Sequence, residues 1–123
     1  MAIRDKIRDK AQPQLQPGEQ VQAVFPGQTQ SQWLILAGYI FFFILNSYRC
    51  VVVTDRRIVV FDSGKFAQAN PSKILYEAPR TTRLGPPGGL WHKVSFPSED
   101  LRVHKRFHKD IEQADAQAGA AAA

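Results

Sequence analysis

Short stretches in which apolar and polar residues alternate recur along this sequence, a pattern typical of β-strands with one buried face. The first lies at 21–25, and Pro26-Gly27 is expected to end it. Two β-branched runs separated by Thr54-Asp55-Arg56-Arg57 predict a β-hairpin. The strands expected from these patterns lie at 21–25, 48–53, 58–61, 73–77, 81–84, 90–96 and 101–104. Short strands at this spacing predict a barrel or a sandwich.

Helical spacing is found at both ends of the chain. The tetrapeptide I-R-D-K occurs twice within 3–10 and places both isoleucines on one face of a short helix. This helix is interpreted either as a basic amphipathic anchor or as a terminal helix that packs on the domain, and its small apolar face favours packing. Phe107, Ile111 and Ala114 recur at i, i+4 and i+7 and predict a C-terminal helix. The alanine-rich end at 118–123 is expected to be a disordered tail.

One apolar run, W-L-I-L-A-G-Y-I-F-F-F-I-L at 33–45, interrupts this pattern because it carries no charge. As a helix it would span about 20 Å, short of the roughly 30 Å hydrocarbon core of a bilayer. As a single strand it would run about 43 Å, longer than strands of small domains. We therefore divide it at Gly38, with helix or loop before it and a strand at Tyr39–Leu45 after it. Both faces of that strand are apolar, so its outer face needs a cover.

The run at 33–45 supports two interpretations that its sequence leaves open. In one, interfacial aromatic residues contact a membrane or a membrane-bound partner while basic residues contact headgroups. In the other, the run is a central strand or an interface between two copies of the chain, since runs of this length are more often buried than inserted. The contact residues expected for the first are Trp33, Tyr39, Phe41, Phe42 and Phe43, with Arg49, Arg56, Arg57, Lys105, Arg106 and Lys109 for the headgroups or another anion.

Charge and cysteine content narrow the possible partners. The net charge is +5, and the segment 80–109 alone carries seven Lys or Arg residues against two acidic ones. Such a segment suits an anionic membrane surface or nucleic acid, and nucleic acid is disfavoured because no RNA-binding motif accompanies the charge. The single cysteine, Cys50, and a charged N-terminus without an apolar h-region predict a cytoplasmic protein.

Catalytic and metal-binding patterns are weak in this sequence. It contains no G-x-S-x-G, H-E-x-x-H or C-x-x-C, and Gly85-Pro86-Pro87-Gly88-Gly89 lacks the G-K-S/T ending of a phosphate loop. His104, His108 and Glu112 stand at i, i+4 and i+8, a weak candidate for a divalent metal if all three are helical. The sequence thus predicts a protein that is not an enzyme and needs no cofactor.

The hairpin V-V-V-T-D-R-R-I-V-V-F-D at 51–62 resembles the "apolar-Thr-Asp-x-Arg-apolar" hairpin of bacterial pleckstrin-homology-like (PH-like) domains. The ending V-H-K-R-F-H-K-D-I at 103–111 is similar to the strand-to-helix passage of small actinobacterial-type members. The resemblance covers 19–117, preceded by a helix and linker at 1–18. It implies a mainly β fold, an antiparallel barrel of about seven strands with a C-terminal amphipathic helix.

The resemblance also implies a binding or scaffolding module. In eukaryotic PH domains that hold phosphoinositides, the loop between the first two strands carries clustered Lys and Arg residues. The corresponding loop here, 26–32, carries none. We therefore expect peripheral contact with the inner membrane surface or with a membrane-bound protein, and as the alternative a soluble adaptor that homo-oligomerises through 33–45.

Overall fold

Six β-strands and two α-helices make up the part of the chain that the computed structural model describes, residues 3–30, 36, 38–40, 46–64, 69–97 and 99–122. The fold is mainly β with a helix at each end, as expected from the sequence. In chain order the elements are α1 (Ile3–Ala11), β1 (Val21–Gln28), β2 (Tyr48–Thr54), β3 (Arg57–Gly64), β4 (Lys73–Pro79), β5 (Trp91–Ser95), β6 (Asp100–His104) and α2 (His108–Ala122), with 3₁₀ turns at Gln12–Gln14 and Lys105–Phe107.

The six strands form one antiparallel sheet in the order β4-β3-β2-β1-β6-β5, curled into a half-barrel. The predicted hairpin is confirmed as β2 and β3, which are joined by the two residues Asp55 and Arg56. The last strand returns to the first, where Arg102 of β6 lies opposite Gln28 of β1. About seven strands were expected, whereas the described residues contain six.

Each face of the sheet is covered by one of the two helices. On one side, Phe25 of β1 packs in a cluster with Ile111 of α2. On the other side, Val24 packs in a second cluster with Ile7 of α1, which confirms that the N-terminal helix docks on the domain. Because β2 and β3 are buried on both faces, their sequences are continuous β-branched runs instead of alternating ones.

Strand β1 extends further than the sequence indicates. Pro26-Gly27 was expected to end it, but β1 continues to Gln28, with Pro26 opposite Cys50 of β2. Proline lacks an N–H donor, so it fits a strand only where no neighbour requires that donor. In the described register β6 pairs with β1 only at Gln28, beyond the proline, and this explains why the strand tolerates Pro26.

The prediction of a strand at 81–84 is wrong, because this segment has irregular structure. The backbone N–H groups of Leu84 and Gly85 donate to the Asp115 carboxylate of α2 at 2.8 and 2.9 Å, and so do not take part in a β-ladder. Helix α2 in turn continues to Ala122, past the boundary predicted at 117, and Ala118 within the expected tail is buried.

Candidate functional site

A long connection between β1 and β2, residues 29–47 and here called the excursion, contains the apolar run. Its two ends are held together by hydrogen bonds. The Thr29 N–H donates to the Ser47 carbonyl at 2.9 Å, and the Ser47 N–H donates to the Thr29 hydroxyl at 2.9 Å. The Gln30 N–H donates to the Asn46 side-chain oxygen at 3.2 Å. The excursion therefore leaves the sheet from a fixed base.

The described apolar residues of the excursion are exposed. Leu36 is 81% exposed, Tyr39 69% and Ile40 73%. A strand was expected from Tyr39 onward, but Tyr39 and Ile40 are helical and follow Gly38, whose φ of 141° favours glycine. The other predicted contact residues, Trp33, Phe41, Phe42 and Phe43, and the rest of the strand predicted at 39–45 lie outside the described residues.

Arg49, predicted as a headgroup contact, is engaged in ion pairs within the protein. Its Nε lies 3.1 Å from Glu99 Oε2, and its Nη1 lies 3.3 Å from Asp62 Oδ1. The same Glu99 oxygen accepts a 2.6 Å hydrogen bond from the Tyr76 hydroxyl. Burial, followed by this bond, raises the pKa of Tyr76. Arg49 thus neutralises carboxylates of the fold.

Arg57, also predicted as a headgroup contact, binds carboxylates of the fold as well. It forms a two-bond pair with Glu19, through Nε at 2.9 Å and Nη2 at 3.1 Å, and its Nη1 lies 2.6 Å from Glu77. The hydrogen bond to Glu19 raises the pKa of Arg57. The neighbouring Arg56 is exposed and donates to the side chain of Gln16 at 3.2 Å. Of these two arginines, Arg56 is the one exposed at the turn.

The other predicted cations are exposed and follow β6, near Phe107, which lines a small cavity with Gln28 and Tyr48 at the base of the excursion. Strand β6 is antiparallel to β1, so its C-terminal end points away from the excursion, and Lys105, Arg106 and Lys109 follow that end. The Arg106 guanidinium lies 5.0 Å from the ring centre of Phe107. Arg56 lies at the end of the sheet opposite the excursion, because β2 begins at the excursion and runs away from it.

Two cations beside the excursion were not among the predicted contact residues. Arg102 of β6 donates from Nη1 to the Thr29 carbonyl at 3.2 Å, and Lys93 of β5 lies opposite Arg102 in the ladder. The alternation in L-R-V-H at 101–104 indicates that Arg102 faces away from the core. The sequence holds no signal for its position next to β1, because that position depends on pairing across more than 70 residues.

The candidate metal ligands do not share one helix face. His104 is extended, and its Nδ1 accepts from the Arg106 N–H at 3.1 Å, so that only His108 and Glu112 belong to α2. Burial lowers the pKa of His108, and the nearby His92 lowers it further. Within the described ranges no group of three or more His, Cys, Asp or Glu side chains is placed to hold a metal ion.

The aromatic residues of the basic segment do not form a stacking surface for nucleic acid. Phe96 and Phe107 are buried in the core beside α2. Trp91 packs edge-to-face against His104, with ring centres 5.1 Å apart. The cavity next to Trp91 measures about 20 Å³, which is room for one water molecule.

Comparisons with models of known protein families, with curated proteins and with solved structures find no match. Among the residues that the structure describes, no helix has both the length and the apolar character needed to cross a bilayer.

Proposed function

We propose that this protein is a non-catalytic PH-like binding module that makes peripheral contact with the anionic inner face of the plasma membrane through the excursion. The observation that carries the proposal is the exposure of Leu36, Tyr39 and Ile40 on a segment with a fixed base. Single exposed apolar residues are ordinary, whereas several together mark an interaction surface. The cytoplasmic location is part of the same proposal.

The order of elements supports the PH-like assignment. A curled antiparallel sheet whose last strand pairs with the first is followed by a helix that packs on the sheet. The loop between the first two strands, which holds phosphoinositides in eukaryotic PH domains, corresponds to the excursion. Because Leu36, Tyr39 and Ile40 beyond its polar base are apolar and exposed, insertion between lipids is favoured over a pocket for one headgroup.

The chemistry of the three exposed side chains suits the membrane interface. Full transfer of an apolar side chain out of water yields about 1.5–3 kcal/mol, and an interfacial position yields only part of this. Tyrosine favours the interface because its ring is apolar and its hydroxyl remains hydrated. Such a contact is weak and reversible by itself, as expected of a peripheral protein.

Vesicle flotation tests the proposal. We expect wild-type protein to float with phosphatidylcholine/phosphatidylserine vesicles, and Leu36→Ser/Ile40→Ser to bind them about tenfold or more weakly. The melting temperature of this variant should stay unchanged, because both side chains are exposed. Leu90→Ser is the control, since Leu90 is 52% exposed and precedes β5, outside the excursion.

Two results would contradict the membrane proposal. Wild-type protein that stays in the soluble fraction with both neutral and anionic vesicles would remove it. Sedimentation showing a wild-type dimer without vesicles, together with a monomeric Leu36→Ser/Ile40→Ser variant, would instead support the alternative in which two copies associate through 33–45.

A further inference from the structure

We propose that Lys93 and Arg102 form the headgroup contact of this protein, binding the phosphates and carboxylates of anionic lipids beside the excursion. This inference rests on the proposed membrane function and assigns its electrostatic part to a pair of residues on the outer face of β5 and β6. Of the cations that the sequence suggested, Arg49 and Arg57 are paired with carboxylates and Arg56 lies at the far end of the sheet. The others, Lys105, Arg106 and Lys109, follow the end of β6 that points away from the excursion.

The two side chains lie next to each other on one face. Lys93 and Arg102 are directly opposite in the β5–β6 ladder. Their neighbours Val94, Leu101 and Val103 are buried in the cluster beside α2, so the alternation of the strands directs Lys93 and Arg102 to the opposite face. Lys93 is exposed and Arg102 is partly exposed.

The pair has excess positive charge. Like charges at directly opposed positions of a ladder repel, and an anion between them relieves that repulsion. Among the described residues neither cation forms an ion pair with a carboxylate. Glu99, at the adjoining turn, is bound to Arg49 and Tyr76. Asp100 shares this face but lies opposite Ser95.

A membrane that contacts the excursion would also lie close to Lys93 and Arg102. Arg102 donates to Thr29, the first residue of the excursion, so the cation and the apolar segment share a base. Arg56 is separated from that base by the length of β2, about 20 Å for its seven residues. A lone apolar contact binds weakly, and a basic patch beside it supplies the second contribution that stable peripheral binding needs.

The test compares two double variants that remove the same charges. Lys93→Gln/Arg102→Gln removes the proposed contact, and Arg56→Gln/Lys105→Gln removes one arginine and one lysine outside it, at the β2–β3 turn and just after β6. On phosphatidylcholine/phosphatidylserine vesicles we expect the first variant to bind about thirtyfold more weakly than wild type and the second to bind almost as tightly as wild type. On pure phosphatidylcholine all three proteins should bind equally weakly.

Two further variants separate the effect of the charges on this face from the effect of the hydrogen bond between Arg102 and Thr29. Arg102→Lys keeps the charge while changing the bond to Thr29, and should retain most of the binding to anionic vesicles. Asp100→Asn removes the acidic side chain from this face and should strengthen that binding a few-fold. If Arg102→Lys bound as weakly as Lys93→Gln/Arg102→Gln, Arg102 would act by holding the excursion and the inference would be wrong.

The outcomes distinguish this inference from the membrane function itself. Wild-type binding to anionic vesicles, with equal loss in both double variants or with no loss in Lys93→Gln/Arg102→Gln, would overturn the inference and leave the membrane function standing. Failure of wild-type protein to bind either vesicle type would overturn both.

Discussion

The carboxylate of Glu19 is fully enclosed, and its surroundings keep it ionised. Burial by itself raises the pKa of this carboxyl group, but hydrogen bonds from Arg57, Thr54 and Gln16 outweigh burial and lower the pKa to about 2. The Thr54 hydroxyl donates to it at 2.6 Å, and the Gln16 N–H donates at 2.9 Å. Glu19 therefore connects the segment before β1 to the β2–β3 hairpin.

Acid should weaken the fold through Glu19. Because its pKa is lowered from the ordinary 4.5, its contribution is complete above pH 4.5 and is lost as the pH falls toward 2. The linked free energy of unfolding is about 3 kcal/mol. In urea unfolding, the free energy of unfolding should fall less between pH 6 and pH 2.5 for Glu19→Gln than for wild type. The variant should already be less stable than wild type at pH 6. Equal losses in the two proteins would contradict this assignment.

Sequence reasoning could not separate Arg57 from Arg56. Both follow Asp55 at the turn, and both were predicted as headgroup contacts. Arg57 is the first residue of β3, and its partner Glu19 lies 38 residues upstream. No local pattern indicates an ion pair over that distance, so the assignment of these cations needed the tertiary structure.

Helix α1 is a structural cover of the sheet. Ile7 and Ala11 are fully buried against β1–β3, and Ile3 is partly buried. Arg4 adds an ion pair with Asp110 of α2, 2.8 Å apart, so that the two helices are linked at one end of the molecule. Because its apolar face is used in this way, α1 is not available as a membrane anchor.

The repeated I-R-D-K supplies a matched pair of substitutions for α1. Ile7→Ala should lower the free energy of unfolding by about 2–5 kcal/mol, because it leaves a cavity in the packed face. Ile3→Ala, in the same local sequence, should cost clearly less since its side chain is only partly buried. Chemical denaturation gives both values, and equal small losses would mean that the helix is frayed in solution.

The elements that the sequence predicted well are those whose pattern is local. The β2–β3 hairpin and α2 follow from β-branched runs and from the i, i+4, i+7 spacing of Phe107, Ile111 and Ala114, all of which are buried. The segment 81–84 has a strand-like composition, yet its backbone donors bind Asp115 of α2. The local sequence pattern does not indicate that these donors bind an acceptor on a distant element.

Two ends of the molecule differ in chemistry. The excursion and the turn after β5 lie at one end, and the β2–β3 turn lies at the other. The first end combines exposed apolar residues with the cations Lys93 and Arg102, whereas at the other the exposed Arg56 lies apart from the excursion. If the protein contacts a membrane through the excursion as proposed, this difference would orient it with the β2–β3 turn directed away from the membrane.

The curled sheet is held by side chains that join its two halves. Tyr76 of β4 contacts Phe96, which follows β5, with ring centres 5.6 Å apart, and its hydroxyl donates to Glu99. Since β4 and β5 are at opposite edges of the strand order, these contacts bring the two edges toward each other. These contacts add to the buried cluster that β1–β6 share with α2.

Tyr76→Phe tests how much the hydrogen bond between Tyr76 and Glu99 contributes to the free energy of unfolding. The substitution keeps the ring against Phe96 and removes only the hydrogen bond to the ionised Glu99, so we expect a loss of about 1.5–3 kcal/mol in unfolding free energy. Tyr48→Phe is the control, because the Tyr48 hydroxyl makes no hydrogen bond with the residues that the structure describes, and it should change stability by less than about 0.5 kcal/mol. Urea denaturation at neutral pH measures both. If Tyr76→Phe and Tyr48→Phe changed the free energy of unfolding equally, the hydrogen bond to Glu99 would not stabilise the curled sheet. Packing of the Tyr76 ring on Phe96 would then be the contact that joins its two edges.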